Sequence, residues 1–200
     1  MNKEAIIIGL TGQTGAGKTT VANELKGPDC LIIDADEIAR DVVKPGSKCL
    51  KDLCNEFGKD ICNFDGTLNR SLLAKRAFSN RYQTDKLNRI THPFIVEKIK
   101  KNIENNKLNY RVIIIDAPLL IESGLNKICK IVISVLAPEE TRLKRIIKRD
   151  KLTIEEAKKR MASQNDEDFY KNNSSYILDG SKRKESICKE VLDFISKVGD

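Results

Sequence analysis

Gly12-Gln13-Thr14-Gly15-Ala16-Gly17-Lys18-Thr19 is the stretch that decides the fold, because it matches G-x-x-x-x-G-K-[ST] at every fixed position. The apolar residues 5–10 before it predict a buried strand, and residues 18–26 after it predict a helix. The glycines allow backbone N–H groups to converge on a polyphosphate at the positive end of that helix. The stretch therefore predicts a phosphate-binding loop rather than a glycine-rich turn with an incidental lysine.

Two side chains of this loop and one distant carboxylate have expected roles in phosphate chemistry. Lys18 would neutralise the β- and γ-phosphates of a nucleotide, and the Thr19 hydroxyl would ligate Mg²⁺. Asp116 ends the apolar run 112–115, a position from which an acidic side chain can organise the water shell of the metal. A strand-end carboxylate can instead cap a loop, and the sequence alone leaves both roles open for Asp116.

Apolar runs and helical patterns alternate along the chain. Strands are predicted at residues 5–10, 31–33, 112–115, 131–136 and 176–178. Helices are predicted at residues 18–26, 37–43, 49–57, 71–79, 93–105, 138–148, 153–163 and 186–198. This alternation predicts an α/β protein, a three-layer fold with a five-stranded parallel sheet.

The spacing of the strands predicts how the 200 residues are organised. Roughly eighty residues separate the second strand from the third, and helices rather than loop fill this gap. We expect one unit with a core (about 1–36, 108–148 and 165–200), a helical substrate-binding insert (about 37–107) and a small helical lid (about 149–164). The lid is expected because residues 153–164 are polar, charged and poor in aromatic side chains.

The composition of the chain limits the classes of ligand and partner that we expect. Lys and Arg outnumber Asp and Glu by 36 to 29, and the net charge of +7 favours phosphate-bearing ligands. The basic residues are scattered and aromatic residues are only 5% of the chain, so nucleotides are favoured over nucleic acid.

The six cysteines form no C-x-x-C pair, and we expect neither a zinc site nor a disulfide framework. Without a leader-like start or a long apolar run, a cytoplasmic protein with no membrane partner is expected.

Phosphate-binding loops occur in kinases, GTPases, transport ATPases and regulatory modules, so other residues must separate these classes. GTPases read guanine with N-K-x-D, but Asn126-Lys127 is followed here by Ile128-Cys129. A transport ATPase would carry a second glycine-rich signature opening a helix, and the sequence has no candidate. A small-molecule kinase needs a base for the acceptor hydroxyl and a cationic lid that excludes water. The sequence offers candidates for both.

Asp36 is the candidate base. It follows the second predicted strand, so we expect it at the carboxyl edge of the sheet beside the phosphates, where a carboxylate can orient and deprotonate a hydroxyl. Asp36 could instead cap the helix predicted to begin at Glu37, which is a common use of Asp. Arg40 lies one helical turn further on the same face, where it could hold an acidic group of the acceptor or remain solvated.

A group of arginines is the candidate lid. Arg142, Arg145 and Arg149 are three and four residues apart on one predicted helix, and Arg160 follows on the next. This spacing predicts a cationic ridge that could shield the transferring phosphoryl group. Lys144 shares the helix, so a solvated basic face is the alternative.

Seven short segments carry a more specific signal through their order and spacing. They are Gly-Leu-Thr-Gly with the phosphate-binding loop (9–19), Asp-Ala-Asp-Glu-Ile-Ala-Arg (34–40), Pro-Gly (45–46), Phe-Asp-Gly-Thr-Leu-Asn-Arg (64–70), Leu-Asn-Arg-Ile-Thr-His-Pro (87–93), Asp-Ala-Pro-Leu-Leu-Ile-Glu (116–122) and Arg-Met-Ala-Ser-Gln (160–164). Together they resemble the dephospho-coenzyme A kinase family across nearly the whole chain. The resemblance implies that ATP, with Mg²⁺, phosphorylates the ribose 3′-hydroxyl of dephospho-coenzyme A in the last step of coenzyme A synthesis.

The resemblance also implies roles for individual residues. Catalysis would involve Asp36 as general base, together with Lys18 and Arg149. The implied ATP-binding residues are Gly12, Thr14, Gly15, Ala16, Gly17, Lys18, Thr19, Thr20, Arg149 and Arg160. The implied acceptor-binding residues are Asp36, Arg40, His92, Pro118, Leu119 and Leu120. On sequence alone, His92 before Pro93 is typical of a helix boundary or a buried position, whereas its segment favours an acceptor contact.

Two segments depart from the family pattern. The loop interior is Gln-Thr-Gly-Ala where the family usually has Gly-Ile-Gly-Ser, a change that keeps both essential glycines and Lys18. Residues 178–181 read Leu-Asp-Gly-Ser where the family usually has an Asn-Asn-Gly turn on the adenine side. The rival interpretations are another small-metabolite kinase and a nucleotide sensor without catalysis. We expect a monomer or a weak homo-oligomer.

Overall fold

One five-stranded parallel sheet organises the fold. The computed structural model describes the backbone of residues 4–199, and the side chains of these residues except 188 and 196–199. The strands are β1 (Ile6–Gly12), β2 (Cys30–Asp34), β3 (Val112–Asp116), β4 (Ile131–Leu136) and β5 (Tyr176–Asp179). Their order in the sheet is β2-β3-β1-β4-β5. The predicted α/β fold class is confirmed, and each predicted strand is present.

The middle strands consist of apolar residues because both faces of the sheet are covered. β4 is buried along its whole length, and Ile8, Ile114 and Ile133 have no exposed surface. Each fully buried side chain of this size contributes roughly 1.5–3 kcal/mol to stability. In the register of the ladder, Leu10 lies opposite Asp116 on one side and Ile133 on the other, so β1 is the strand that delivers the following loop between β3 and β4.

Nine α-helices occur within residues 4–199. They are α1 (Lys18–Glu24), α2 (Ala35–Asp41), α3 (Lys48–Phe57), α4 (Arg70–Ala77), α5 (Arg81–Asn106), α6 (Glu139–Asp150), α7 (Ile154–Ala162), α8 (Glu167–Asn172) and α9 (Lys184–Gly199). Two short 3₁₀ helices cover Lys59–Ile61 and Leu125–Ile128. Side-chain caps fix several starts, as where Ser47 accepts a hydrogen bond from the N–H of Leu50.

Helix α5 corrects one prediction, since it begins at Arg81 rather than at residue 93 and contains Pro93. A proline inside a helix removes one backbone donor and costs about 3 kcal/mol, which is why the sequence favoured a boundary there. Leu87 and Phe94, on either side of Pro93, both pack against one apolar cluster. This packing offsets the lost hydrogen bond, and His92 is therefore inside a helix rather than at its end.

The chain divides into two compact units, which are described separately. One comprises the described residues up to Ile33 and from Asn105 onward, with the sheet core as its apolar cluster. The other is Asp34–Glu104, with its own cluster around the fully buried Leu53 and Ile61. Within the described chain, the helices are all too short or too polar to cross a membrane.

Candidate active site

The loop between β1 and α1 has a backbone that only glycine can adopt at key positions. Gly12 has a φ of +145°, and a Cβ there would lie 2.2 Å from the carbonyl oxygen of Val135. Gly17, with φ of +111°, is the N-cap of α1 and provides no side chain to bond the first amides of the helix. The first turn of α1 has no acidic residue either. The start of α1 is therefore suited to bind a phosphate ligand through backbone N–H groups.

Lys18 forms an ion pair with Asp116, which joins the start of α1 to the end of β3. The two side chains are only 16% and 12% exposed. The structure therefore brings together the two charged residues that the sequence assigned separately to phosphate and metal. Thr19 and Thr20, in the first turn of α1, are exposed.

Two residues not assigned to this loop contact it directly. The backbone N–H of Thr14 donates to Oε1 of Gln164 at 2.7 Å. Arg145 donates from Nη1 to the carbonyl oxygens of Gly15, at 3.3 Å, and Ala16, at 3.0 Å. Gln164 ends the Arg-Met-Ala-Ser-Gln segment and Arg145 belongs to the predicted ridge, so the sequence marked both residues without giving their partners.

The predicted arginine ridge is not one surface. Arg142 is only 6% exposed, and burial lowers the pKa of its guanidinium, with Glu139 and Tyr170 among the groups that act against this shift. Its buried Nε has no hydrogen-bond partner among the described residues. Arg142 was therefore wrongly placed on a solvated or lid-facing ridge. The other two arginines of α6 have different surroundings: Arg145 contacts the phosphate loop, and Arg149 contacts Asp150 at the end of the helix.

Arg149 and Arg160 share one carboxylate, that of Asp150. Arg149 donates to it from Nε and Nη2, both at 2.8 Å, and Arg160 from Nη1 at 2.7 Å. The hydrogen bonds from Arg149 lower the pKa of Asp150, and the charge of Arg160 adds to this effect. The two arginines that were expected in the lid are thus gathered at the junction of α6 and α7.

Helix α7, in the predicted lid, has one packed side. Ala157 and Met161 are buried against Ile146 of α6. A capping box fixes the start of α7, because Thr153 accepts from the N–H of Glu156 while the Glu156 carboxylate accepts from the N–H of Thr153. This packing fixes α7 on α6, and Gln164 on the phosphate loop follows two residues after its end.

The segment after β3 contains the expected acceptor residues Pro118, Leu119 and Leu120. Thr11 donates a hydrogen bond to the carbonyl oxygen of Pro118 at 3.2 Å. Leu119 is 46% exposed, whereas Leu120 is fully buried and fills the space beside Gly9. In this conformation the Leu120 side chain packs the core, and Leu119 offers the exposed apolar surface.

Asp36 and Arg40 lie four residues apart on α2, as the sequence predicted, and both are exposed. The helix begins at Ala35, and its N-cap is Asp34, which accepts hydrogen bonds from the N–H groups of Asp36 and Glu37. The capping role considered for Asp36 is therefore wrong. Within the described chain, its own carboxylate has no hydrogen-bond or ion-pair partner, so it is available to a ligand.

His92 is half-buried in α5, and burial lowers the pKa of its imidazole. Its neutral form is consequently favoured at neutral pH. With Asp36 and Arg40 it belongs to the unit Asp34–Glu104, while the phosphate loop and Asp116 belong to the other unit.

The residues assigned to the metal have chemistry that suits Mg²⁺. Thr19 provides a hydroxyl oxygen and Asp116 a carboxylate, and Mg²⁺ prefers a few such oxygen ligands completed by water and substrate phosphates. No group of three or more His, Cys, Asp or Glu side chains in the described part of the chain could hold a metal by itself.

The parallel sheet, the glycine-rich loop before α1 and the largely buried Lys18–Asp116 pair define a P-loop nucleotide-binding protein. Solved structures agree at the level of fold: a shikimate kinase from Acinetobacter baumannii, 19% identical, covers 96% of this chain with a TM-score of 0.55. A Thermus thermophilus structure, 27% identical, covers 98% of both chains with a TM-score of 0.81.

More specific comparisons identify the family. The model of the CoaE family, dephospho-CoA kinase, matches residues 6–185. Dephospho-CoA kinase from Corynebacterium glutamicum is 38% identical over 192 residues, covering 96% of each chain. The corresponding enzyme from Listeria innocua is 37% identical, covering 95% of this chain and 96% of its own. A solved dephospho-CoA kinase from Campylobacter jejuni superposes with a TM-score of 0.62 at 25% identity, covering 96% of both chains. The chain belongs to the dephospho-CoA kinase family and is a kinase that uses ATP and dephospho-CoA.

Proposed function

We propose that the chain transfers the γ-phosphoryl group of ATP to the ribose 3′-hydroxyl of dephospho-CoA, with Asp36 as the general base. The observation that carries this assignment is the exposed Asp36 carboxylate, which has no partner among the described residues, whereas Asp34 accepts two backbone hydrogen bonds as the N-cap. Chain connectivity supports it, because Asp36 follows the end of β2 by two residues.

The phosphate loop binds the donor. Its backbone amides and Lys18 surround the β- and γ-phosphates, and the phosphate replaces Asp116 as the partner of Lys18. Asp116 and the Thr19 hydroxyl would then hold Mg²⁺, which would supply positive charge to the phosphate oxygens. The Mg²⁺ requirement and both ligand assignments are parts of the proposal.

Asp36 orients the acceptor hydroxyl and accepts its proton as the oxygen attacks phosphorus. Arg149 and Arg160 exchange Asp150 for the transferring phosphoryl group, since a polyphosphate is a stronger competitor for guanidinium groups than one carboxylate. Their closure also excludes water, which would otherwise compete with the ribose hydroxyl.

The acceptor is held by Arg40, His92 and the Pro118–Leu119 segment. Arg40 is an exposed cation suited to an acceptor phosphate, and the neutral form of His92 can donate one hydrogen bond and accept another. Leu119 provides apolar contact. A cytoplasmic location and a monomeric or weakly associated state complete the proposal.

The test is a panel of acceptors with ATP. We expect saturable turnover with dephospho-CoA, no turnover with nucleosides or nucleoside monophosphates, and a new phosphate on the ribose 3′ position by ³¹P and ¹H NMR. Phosphate at another hydroxyl would overturn the proposed regiochemistry. Full activity after exhaustive chelation of divalent cations would overturn the metal assignment.

A further inference from the structure

Two cysteine side chains of the unit Asp34–Glu104 lie in direct contact, and neither belongs to the proposed catalytic machinery. Cys54 is in the last turn of α3, and Cys62 directly follows the 3₁₀ helix Lys59–Ile61. Their Sγ atoms are 2.6 Å apart. Both side chains are partly exposed and pack against the apolar cluster that contains Leu53. The pair is therefore both close together and accessible from solvent.

The backbone between the two cysteines holds them together. Gly58 ends α3 with a φ of +100°, a positive value that favours glycine, and a Cβ there would lie 2.7 Å from atoms of Arg76 and Asp60. The N–H of Cys62 then donates to the carbonyl oxygen of Lys59 at 3.1 Å. The backbone of residues 58–62 is thus held in one conformation, and this conformation places the two thiols in contact.

Three other described thiols differ from this pair. Cys49 is buried, Cys129 contacts the carbonyl oxygen of Leu125, and Cys30 has no thiol neighbour among the described residues. Burial, with a smaller contribution from Cys62, raises the pKa of Cys54 to about 11. The Cys54 thiol consequently stays protonated and is slow to react at neutral pH, so the chemistry of the pair depends on proximity after a first attack.

We propose that Cys54 and Cys62 form a redox-active dithiol that a low-molecular-weight disulfide converts to an intramolecular disulfide. The thiolate of one cysteine attacks a sulfur of the small disulfide, so that a mixed disulfide forms and the first small thiol leaves. The second cysteine attacks the protein sulfur of that mixed disulfide, and the second small thiol leaves. Two electrons and two protons pass from the dithiol to the small disulfide, which is reduced to two thiols.

The disulfide would close a short loop, since the two cysteines are 8 positions apart. A covalent link restricts the unfolded chain, and an unstrained link therefore stabilises the folded state. We expect the oxidised protein to have a higher Tm than the reduced protein.

The experiment uses the full-length, fully reduced protein and glutathione disulfide as the probe. After incubation and trapping with N-ethylmaleimide, intact mass should show two fewer adducts than the six of the reduced chain. Peptide mapping should find Cys54 linked to Cys62. The matched control Cys49→Ser should form the same link, because Cys49 lies on the same helix outside the pair.

Single variants separate the two steps. Cys54→Ser and Cys62→Ser should each stop at a mixed disulfide with glutathione on the remaining cysteine, and neither should show the rise in Tm. The proposal is overturned if the wild type keeps six maleimide adducts in excess glutathione disulfide. It is equally overturned if Cys54→Ser/Cys62→Ser still loses two adducts, or if the wild type accumulates mixed disulfides without a link.

Discussion

Asp36 and Glu37 are adjacent exposed carboxylates in the first turn of α2, so they form a matched pair for testing the base. We expect Asp36→Asn to lower kcat by about 10²–10⁴-fold, the usual contribution of a positioned base, while the Kd for ATP is unchanged. Glu37→Gln is the matched control, because it removes one negative charge from the same helix turn. It should keep nearly normal kcat, since Glu37 is not the proposed base. Steady-state kinetics and calorimetric ATP titration measure the two constants, and near-normal kcat in Asp36→Asn would refute the assignment.

His92 couples the stability of its helix to pH. Because burial lowers its pKa in the folded state, the unfolded state binds a proton more readily. This contribution to stability is complete above the unfolded pKa of about 6.5 and is lost as pH falls through the lower folded value. We expect the free energy of unfolding of the wild type to fall more steeply below about pH 6.5 than that of His92→Gln. Urea unfolding at a series of pH values measures this, and parallel curves would contradict it.

At the scale of helices and strands, the sequence predicted the elements that a local pattern of residues marks. The five strands coincide with short apolar runs, so their positions followed from those runs alone. The start of α5 was wrong, because packing of Leu87 and Phe94 outweighs the local effect of Pro93. Helix α8 (Glu167–Asn172) was not predicted, since six residues are too few to show a helical period.

In the candidate site too, the sequence predicted the residues that a local pattern marks. The loop motif marks Lys18 and the end of a strand marks Asp116, but their ion pair was not predicted. The contacts of Gln164 and Arg145 with the loop join residues 150 and about 130 positions apart. Sequence periodicity does not predict such pairs. Arg142 likewise interacts with Glu167 and Tyr170 of α8, a helix that the sequence did not reveal.

Gln164 occupies a backbone donor of the phosphate loop, the N–H of Thr14. We expect ATP to displace it, so Gln164→Ala should lower the Kd for ATP by about 2–10-fold, the net value of one hydrogen bond. Gln164→Glu should raise the Kd, because a carboxylate would repel the phosphates. Ser163→Ala, which removes only a hydroxyl bonded to the carbonyl oxygen of Arg160, is the control. Calorimetry decides, and weaker ATP binding in Gln164→Ala would show that Gln164 supports the bound state instead.

The turn after β5 packs directly against the phosphate loop. A Cβ on Gly180 would lie 1.9 Å from the carbonyl oxygen of Ala16 and 2.9 Å from Cγ1 of Val135. Gly180→Ala should therefore displace the loop, lower the free energy of unfolding by roughly 1–3 kcal/mol and weaken ATP binding. Gly27→Ala is the matched control, because a Cβ there meets no atom within 4 Å. Equal stability and ATP affinity in the two variants would contradict this account.

The whole molecule combines two compact units, each with an apolar core of its own. The proposed donor residues are in one unit and Asp36, Arg40 and His92 in the other. Because each core can be stabilised separately, the two substrates should protect different parts of the chain from local opening.

Hydrogen exchange followed by mass spectrometry can detect this division. ATP alone should slow exchange in peptides around the phosphate loop (residues 12–20), where backbone N–H groups would donate hydrogen bonds to the phosphates. Dephospho-CoA alone should slow exchange mainly within Asp34–Glu104, if that unit holds the acceptor as proposed. Lys18→Met should abolish the first effect and retain the second, since it removes the cation that binds phosphate. Protection by dephospho-CoA confined to the loop and its flanking strands would instead place the acceptor outside the helical unit.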